Sequence, residues 1–397
     1  MKTLLKFYFF FILVGFYKTQ AQQQFALQGN ATTVNTTTYR LTSDNGGQTG
    51  MITNLYPKDL TQNFEINFEV FLGSRNGSGA DGIAFIFSKI CNPNLVNGGG
   101  LGAANISNSI IIEFDTYDNG GGDFDIGNHH ITIFKNGLMN SSNHIMDGVS
   151  QPVCARSGCG TIDNGNWYPV KIKWEYFSAT SQKVSVFFFF FLRVTSTRNH
   201  IANSFQGNTK VFYSLSAATG AVSNLQQVRI SDNSVINNVC SGSAVTLLAP
   251  ELGSNYVWSN GGSTTFSNTF VPTTSGNITC TYKDFCNATR TITFNINLKP
   301  AIQTPTITTN SPICGVGNAV FTINGTAGTT INYTLDSVPS TSIIPASGNL
   351  IITKNNASSD VELKILQIGN SNCSASTNTS STINVSSNPI TSPINSN

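Results

Sequence analysis

Charge is what this 397-residue chain has least of: Asp, Glu, Lys and Arg together make up 10% of it, against about 25% in ordinary soluble domains. Such a composition argues against a helical cytoplasmic enzyme. Ser, Thr, Asn and Gly fill the gap, as they do in extracellular β proteins with many turns. Basic residues form no cluster along the chain, so neither nucleic acid nor an anionic membrane has an electrostatic footprint to bind. The formal charge of +2 includes Lys2, Lys6 and Lys18; without them 18 basic residues face 19 acidic ones. No CxxC pair is joined by a second pair or by His, which weakens a zinc reading of the eight cysteines. No nucleotide-binding motif is present, and no apolar run reaches the ~20 residues that a spanning helix needs.

The apolar run at the N-terminus is short and has the marks of a secretory signal over residues 1–21. Lys2 and Lys6 precede Phe7–Tyr17, and Thr19-Gln20-Ala21 ends on a small residue before Gln22. Export would place the protein outside the cell or at its surface, where disulfides persist. Downstream, short alternating segments such as FEINFEVFL, GIAFIF, VKIKWEYF and TRTITFNINL are separated by Gly, Asn, Asp and Ser clusters. This period of two, with little helical periodicity, predicts an all-β protein. Length allows two or three domains. We place a large β-sandwich at 22–233, a small unit at 236–299, a second at 306–385 after the linker LKPAIQTPTI, and a linker-like tail at 386–397.

The densest chemistry lies in SIIIEFDTYDNGGGDFDIGNHHITIFK, Ser109 to Lys135. In its first strand Ile110, Ile112 and Phe114 point one way, as core residues would, while Glu113, Asp115 and Tyr117 point the other. A Gly-rich loop follows with Asn119, Asp123, Asp125 and His130. Calcium would take oxygens from Asp115, Asn119, Asp125 and the Tyr117 carbonyl. A transition metal, Mn2+ first among them, would take Glu113, Asp115, Asp125 and the His130 imidazole. Asp, Asn and Gly are also turn formers, but turn formation does not account for Glu113 and Asp115 on one face of a strand. His129 should face away from His130 and is read as a loop residue.

The pattern E-x-D-x-Y-x-N, then Asp, then His five residues later, resembles the metal loop of the L-type, or legume-type, lectins, and more specifically the bacterial members. On that pattern fall Glu113, Asp115, Tyr117, Asn119, Asp125 and His130, with Asp123 competing for the place of Asp125. GADGIAFIF is similar to the segment carrying the family's sugar-binding Asp, here Asp81, after a cis peptide at Ala80–Asp81. GGGLG resembles the loop whose backbone N–H reaches the sugar, through Gly99 or Gly100. NGNWYPVKIKW and SAATGAVSNLQQVRI resemble later strands and the specificity loop, placed around Ala221 to Asn224. The resemblance implies a concanavalin A-like jelly-roll sandwich that binds glycans through Asp81, Gly99 or Gly100, Tyr117 and Asn119. In it Ca2+ and a transition metal are structural and hold the loop in place. Residues 236–299, with Trp258 on a central strand, resemble an immunoglobulin-like repeat, which implies a Cys240–Cys286 pair and leaves Cys280 in the core. Residues 306–385 look like a second such sandwich.

Two other functions compete. Glu113 and Asp118 superficially match a catalytic strand of glycoside hydrolases on the same fold, where two carboxyl groups ~5 Å apart give retention. Alternatively, the chain is a structural adhesin whose lectin fold has lost sugar binding. Among the remaining cysteines, Cys314 and Cys373 are the only two of the last segment and are expected to pair; Cys154 and Cys159 suit a local bridge; Cys91 is left over. The run Phe187–Phe191 sits where bacterial members have a hairpin turn with Gly. Apolar on both faces, it is expected to be a strand buried between layers, with an exposed, aggregation-prone aromatic strip as the alternative.

Overall fold

The computed structural model describes residues 25–120, 124–127, 129–230, 236–370 and 373–387, together with the backbone of 18–20. Most of the expected signal segment, the loop position Asp123 and the end of the tail lie outside the described residues. Among the described residues no helix is long and apolar enough to cross a membrane.

The protein is all-β. Up to Ile230 two sheets face each other. One runs in the order Val153–Cys154, His130–Lys135, Ile110–Asp115, Gly82–Ser88, Lys210–Ala218, Thr49–Asn54 and Phe25–Gly29. The other runs Phe191–Arg198, Ser181–Phe188, Trp167–Ser178, Phe64–Phe71, Gln226–Ile230, Thr38–Thr42 and Thr32–Thr33. Alternation explains the second sheet. Tyr168, Val170, Ile172 and Trp174 point inward, and Lys171 and Lys173 point to solvent. On its outer surface opposite charges meet as Lys171–Glu65 and Arg229–Glu69. Between the sheets Phe85, Phe87, Phe114, Trp174 and Tyr213 form the main core.

The first sheet departs from simple alternation because both its faces are covered. Ala84, Ile86, Ile111 and Phe134 pack outward against Leu101, Ala103 and Ile106 of an overlying loop. That cover buries the face carrying Glu113 and Asp115, both under 5% exposed.

Beyond residue 236 two further cores form. One lies between Ile236–Cys240, Thr289–Lys299, Gly276–Lys283 and Ser254–Trp258 on one side and Val245–Leu248 with Ser267–Phe270 on the other. The other gathers Phe321, Ile331, Leu363 and Ile365.

The cysteines pair differently from expectation. Cys154–Cys159 forms as expected, and Cys280 is buried and free. However, Cys286 bonds Cys91 of the first sandwich, and Cys240 bonds Cys373 of the last unit, leaving Cys314 free and exposed. The expected Cys240–Cys286 and Cys314–Cys373 pairs assumed closure within each unit, whereas two of the three bonds cross between units. Phe212 stacks on Phe285, next to Cys286, with centroids 3.8 Å apart, and Lys210 pairs with Glu251 across the same junction. The phenylalanine run also differs. Only Phe188 is buried as expected; Phe189 and Phe190 form a two-residue hairpin turn, and Phe189, Phe190 and Phe191 are exposed.

Candidate functional site

The site occupies the end of the sandwich where the strand Ile110–Asp115 gives way to its loop. Antiparallel pairing sets His130 opposite Asp115 and Thr132 opposite Glu113. One face thus receives Glu113, Asp115 and His130, whose ligand atoms all lie within 4.8 Å of one another. The imidazole bridges two carboxylates: Nε2 is 3.0 Å from Glu113 Oε1, and Nδ1 is 3.4 Å from Asp125 Oδ1. Burial, and then the charge of Glu113 beside it, pushes the Asp115 carboxyl well above the ordinary range; His130 and the Tyr117 N–H oppose this.

Backbone donors fix the carboxylates. Tyr117 N–H donates to Asp115 Oδ1 at 2.6 Å. Asn119 N–H donates to Asp125 Oδ2 at 2.9 Å, and Ile126 N–H to Asp125 Oδ1 at 2.7 Å. Asp125 thereby ties the two ends of the loop together. Phe124, in the left-handed region with φ 57°, turns its ring onto Phe134 and His144. It plugs the loop into the outer core. Sequence reading missed it, although it is the one aromatic residue of the glycine-rich stretch.

Asp81 immediately precedes the next strand, Gly82–Ser88, in which Gly82 stands opposite Asp115. The Ala80–Asp81 peptide is cis, as the resemblance implied. Both of its flanks are held: Gln226 Nε2 reaches the Ala80 carbonyl, and Thr116 N–H donates to the Asp81 carbonyl at 2.9 Å. The Asp81 side chain is 2% exposed, yet its Oδ2 has no hydrogen-bond partner among the described residues. Burial raises its pKa to about 6 against one opposing hydrogen bond from the Gly220 backbone.

Three loops converge on that carboxylate. A Cβ on Gly220 would stand 3.6 Å from Asp81 Oδ2 and 3.5 Å from the Gly98 Cα. A Cβ on Gly99 would stand 2.5 Å from Asn119 Nδ2. Gly100 turns the other way: its Cβ would strike Val96 Cγ1 at 2.7 Å, and its N–H already donates to the Asn97 carbonyl. Of Gly99 and Gly100, Gly99 is thus the one beside Asn119. Tyr117 and Asn119 are exposed at the mouth. Gly220 was not anticipated, and it is the closest of the last loop to Asp81. Of the expected specificity loop, Ser223 and Asn224 are buried. Asn224 packs under Gly73 and Gly79 and accepts from Ser74 N–H, so it braces the loops and leaves the rim to Gly220–Val222.

His129 lies in the loop, as expected, immediately before the strand His130–Lys135. It is buried, and its Nδ1 accepts from Ile162 N–H at 2.9 Å. Asp118 is exposed and accepts from Gly120 N–H within its own loop, while Glu113 is sealed against His130.

The fold and site define a two-sheet sandwich with a buried acidic–histidine cluster in the strands next to Asp81. Residues 16–232 match the family model of the legume lectin beta-barrel domain, and the chain belongs to that family. It is similar, at 28% identity over 230 residues, to the pesticidal crystal protein Cry22Aa of Bacillus thuringiensis. That match covers 52% of this chain and 31% of Cry22Aa, so the chain spans about a third of that relative's length. Among solved structures it is similar to the metal-free lectin I-B4 of Griffonia simplicifolia, with 20% identity, a TM-score of 0.41, and 53% and 93% of the two chains covered. It is likewise similar to the Bauhinia forficata lectin in complex with GalNAc, with 20% identity, a TM-score of 0.41, and 52% and 89% covered.

Proposed function

We propose that the first sandwich is a carbohydrate-binding lectin domain and carries no catalysis. The observation that supports this reading most is Asp81 Oδ2, a buried carboxylate oxygen without a partner among the described residues, 3.6 Å from where a Cβ on Gly220 would stand. A buried acceptor in that state costs free energy unless a ligand donates to it. Sugar hydroxyls are such donors. Asp81 accepts from them, the Gly99 backbone and the Asn119 amide supply donors, and the Tyr117 ring covers an apolar sugar face.

The donor set fits two metal ions. Glu113, Asp115, Asp125 and His130 offer the mixed oxygen and nitrogen ligands of a transition ion such as Mn2+. Asp115, Asp125, Asn119 and the Tyr117 carbonyl offer the oxygens of Ca2+. Three carboxylates gathered around one imidazole leave negative charge that divalent cations would neutralise. Bound there, the ions hold the loop in its binding geometry. This chain's residues do the recognition, and a pre-ordered Asn119 loses little freedom on binding.

The eight-cysteine composition and the N-terminal apolar run support an exported, cell-surface role. The two C-terminal units, read as immunoglobulin-like, would serve as disulfide-tied spacers. A hydrolase using Glu113 and Asp118 gains no support, because Glu113 is held by His130 and the two do not share an open cleft. A glycan array with and without EDTA tests the proposal. Metal-dependent binding that Asp81→Ala abolishes with the fold intact is the expected result. Binding to no glycan in either condition would leave the structural-adhesin reading.

A further inference from the structure

The hairpin joining Ser181–Phe188 to Phe191–Arg198 closes on two residues, with Phe188 paired to Phe191 across the turn. Phe189 and Phe190 both have positive φ, 51° and 70°. Asn and Gly favour such a turn, and bulky side chains are strained there. Phe189 packs on Tyr168, but the tip as a whole gains little burial in return. Phe189 is 40% exposed, Phe190 78%, Phe191 65% and Leu192 52%. Phe190 overhangs a cavity of about 720 Å3 shared with Phe187, Lys171, Glu69 and Arg229.

The cations around the tip come from separate segments. Arg156 lies 5.9 Å over the Phe189 ring, and Lys171 lies 4.6 Å over Phe187. Arg193 follows the tip directly and donates to the Cys154 carbonyl. Lys171 and Arg229 are balanced by Glu65 and Glu69. Among the described residues Arg156 and Arg193 have no carboxylate at ion-pair distance. The tip also shares its end of the molecule with the sugar pocket. Cys154 is paired with His130 in the ladder, and Phe188 packs on Phe114, the neighbour of Asp115.

We propose that this aromatic hairpin inserts into the interfacial region of a phospholipid bilayer. The cavity beneath Phe190 is not lined by Phe189, Phe191 or Leu192, so a small ligand held there would leave most of the exposed tip in water. Its four side chains offer on the order of 400 Å2 of apolar surface, below the ~800 Å2 per partner of a stable protein interface. A bilayer makes no such demand. It accepts aromatic rings at headgroup depth, and its phosphate groups meet the local positive charge of Arg156 and Arg193, which donate to neutral oxygens of the protein and have no carboxylate partner among the described residues. The inference does not rest on sugar recognition, because the lipid needs no glycan.

The test uses the full chain with sugar-free phosphatidylcholine vesicles, with and without phosphatidylserine, in a flotation assay. The variant Phe189→Asn/Phe190→Gly installs the favoured turn residues, so it should fold and melt at least as well as the wild type. It should bind vesicles at least about tenfold more weakly. Arg156→Ala should lose part of the phosphatidylserine enhancement only. Three results would overturn the proposal: a wild type that does not float with vesicles, a turn variant that floats as well as the wild type, or a turn variant that only converts an oligomer to a monomer. The last would make the tip a contact between copies. Loss of glycan binding by Asp81→Ala, measured separately, should leave flotation unchanged.

Discussion

Gly99 and Asn119 stand so close that a single methyl group on Gly99 would lie 2.5 Å from the Asn119 amide nitrogen. The contact couples the glycine loop to the metal loop and gives each of the neighbouring glycines a separate test. Gly99→Ala should push Asn119 out of place and weaken glycan affinity at least about tenfold, since a single lost polar contact is worth about 1.5 kcal/mol. Its melting temperature should barely move. Gly100→Ala meets Val96 and should cost about 1–3 kcal/mol of stability by overpacking. Calorimetry of both variants checks this; equal effects of the two on affinity would count against the assignment of Gly99.

Asp81 sets a pH dependence. Its folded pKa is raised to about 6, chiefly by burial, from 3.8. A raised folded pKa means that the metal-free native state binds the proton more tightly than the unfolded chain does. The associated stability is fully present below pH ~4 and is lost as pH rises through about 6. Metal-free Asp81→Asn should therefore equal or exceed the wild type in stability at pH 7, by about 1–2 kcal/mol after allowance for solvent at the pocket mouth. Glycan affinity should run the opposite way, falling below pH 6 as the acceptor is protonated. Denaturant melts and binding isotherms from pH 4.5 to 8 measure both. An Asp81→Asn variant that keeps full affinity would remove Asp81 from the pocket.

Metal removal should loosen the loop more than the sandwich. Ligands must be deprotonated, so ion affinity should fall with acid. His130→Ala should selectively lose the transition ion, and EDTA should abolish glycan binding while leaving the main core folded. Elemental analysis alongside thermal melts checks this. A His130→Ala protein with an unchanged metal content would mean that the cluster is only a buried ion-pair network.

The cysteine pattern gives a direct chemical test. Non-reduced peptide mapping should find Cys91–Cys286, Cys154–Cys159 and Cys240–Cys373, with Cys314 alkylated without reduction. Cys314→Ser should be silent, within about 0.5 kcal/mol. Cys373→Ser should release the last unit from the middle one at a cost of about 2–5 kcal/mol. Recovery of a Cys314–Cys373 peptide would restore closure within the unit.

Which features the sequence determined by itself follows from how far apart the interacting residues lie along the chain. Alternation in WYPVKIKW and the spacing from Glu113 to His130 are local, so the β class and the acidic–histidine cluster were legible in the residues alone, whereas the Asp81 segment was marked by its resemblance to a family. Side-chain direction in a strand repeats every two residues, and a hairpin brings His130 back to Asp115 almost by construction. Tertiary structure decided what depends on distant partners. Cys286 bonds Cys91 because the first two units dock through Phe212 and Phe285, which no spacing encodes. Gly99 was separated from Gly100, and Gly220 was found, only when three loops met over Asp81. Phe187–Phe191 looked like a buried strand because apolar runs are usually buried. Its fate was settled by the register of Phe188 against Phe191, which places two of the five rings in a turn and directs them into solvent.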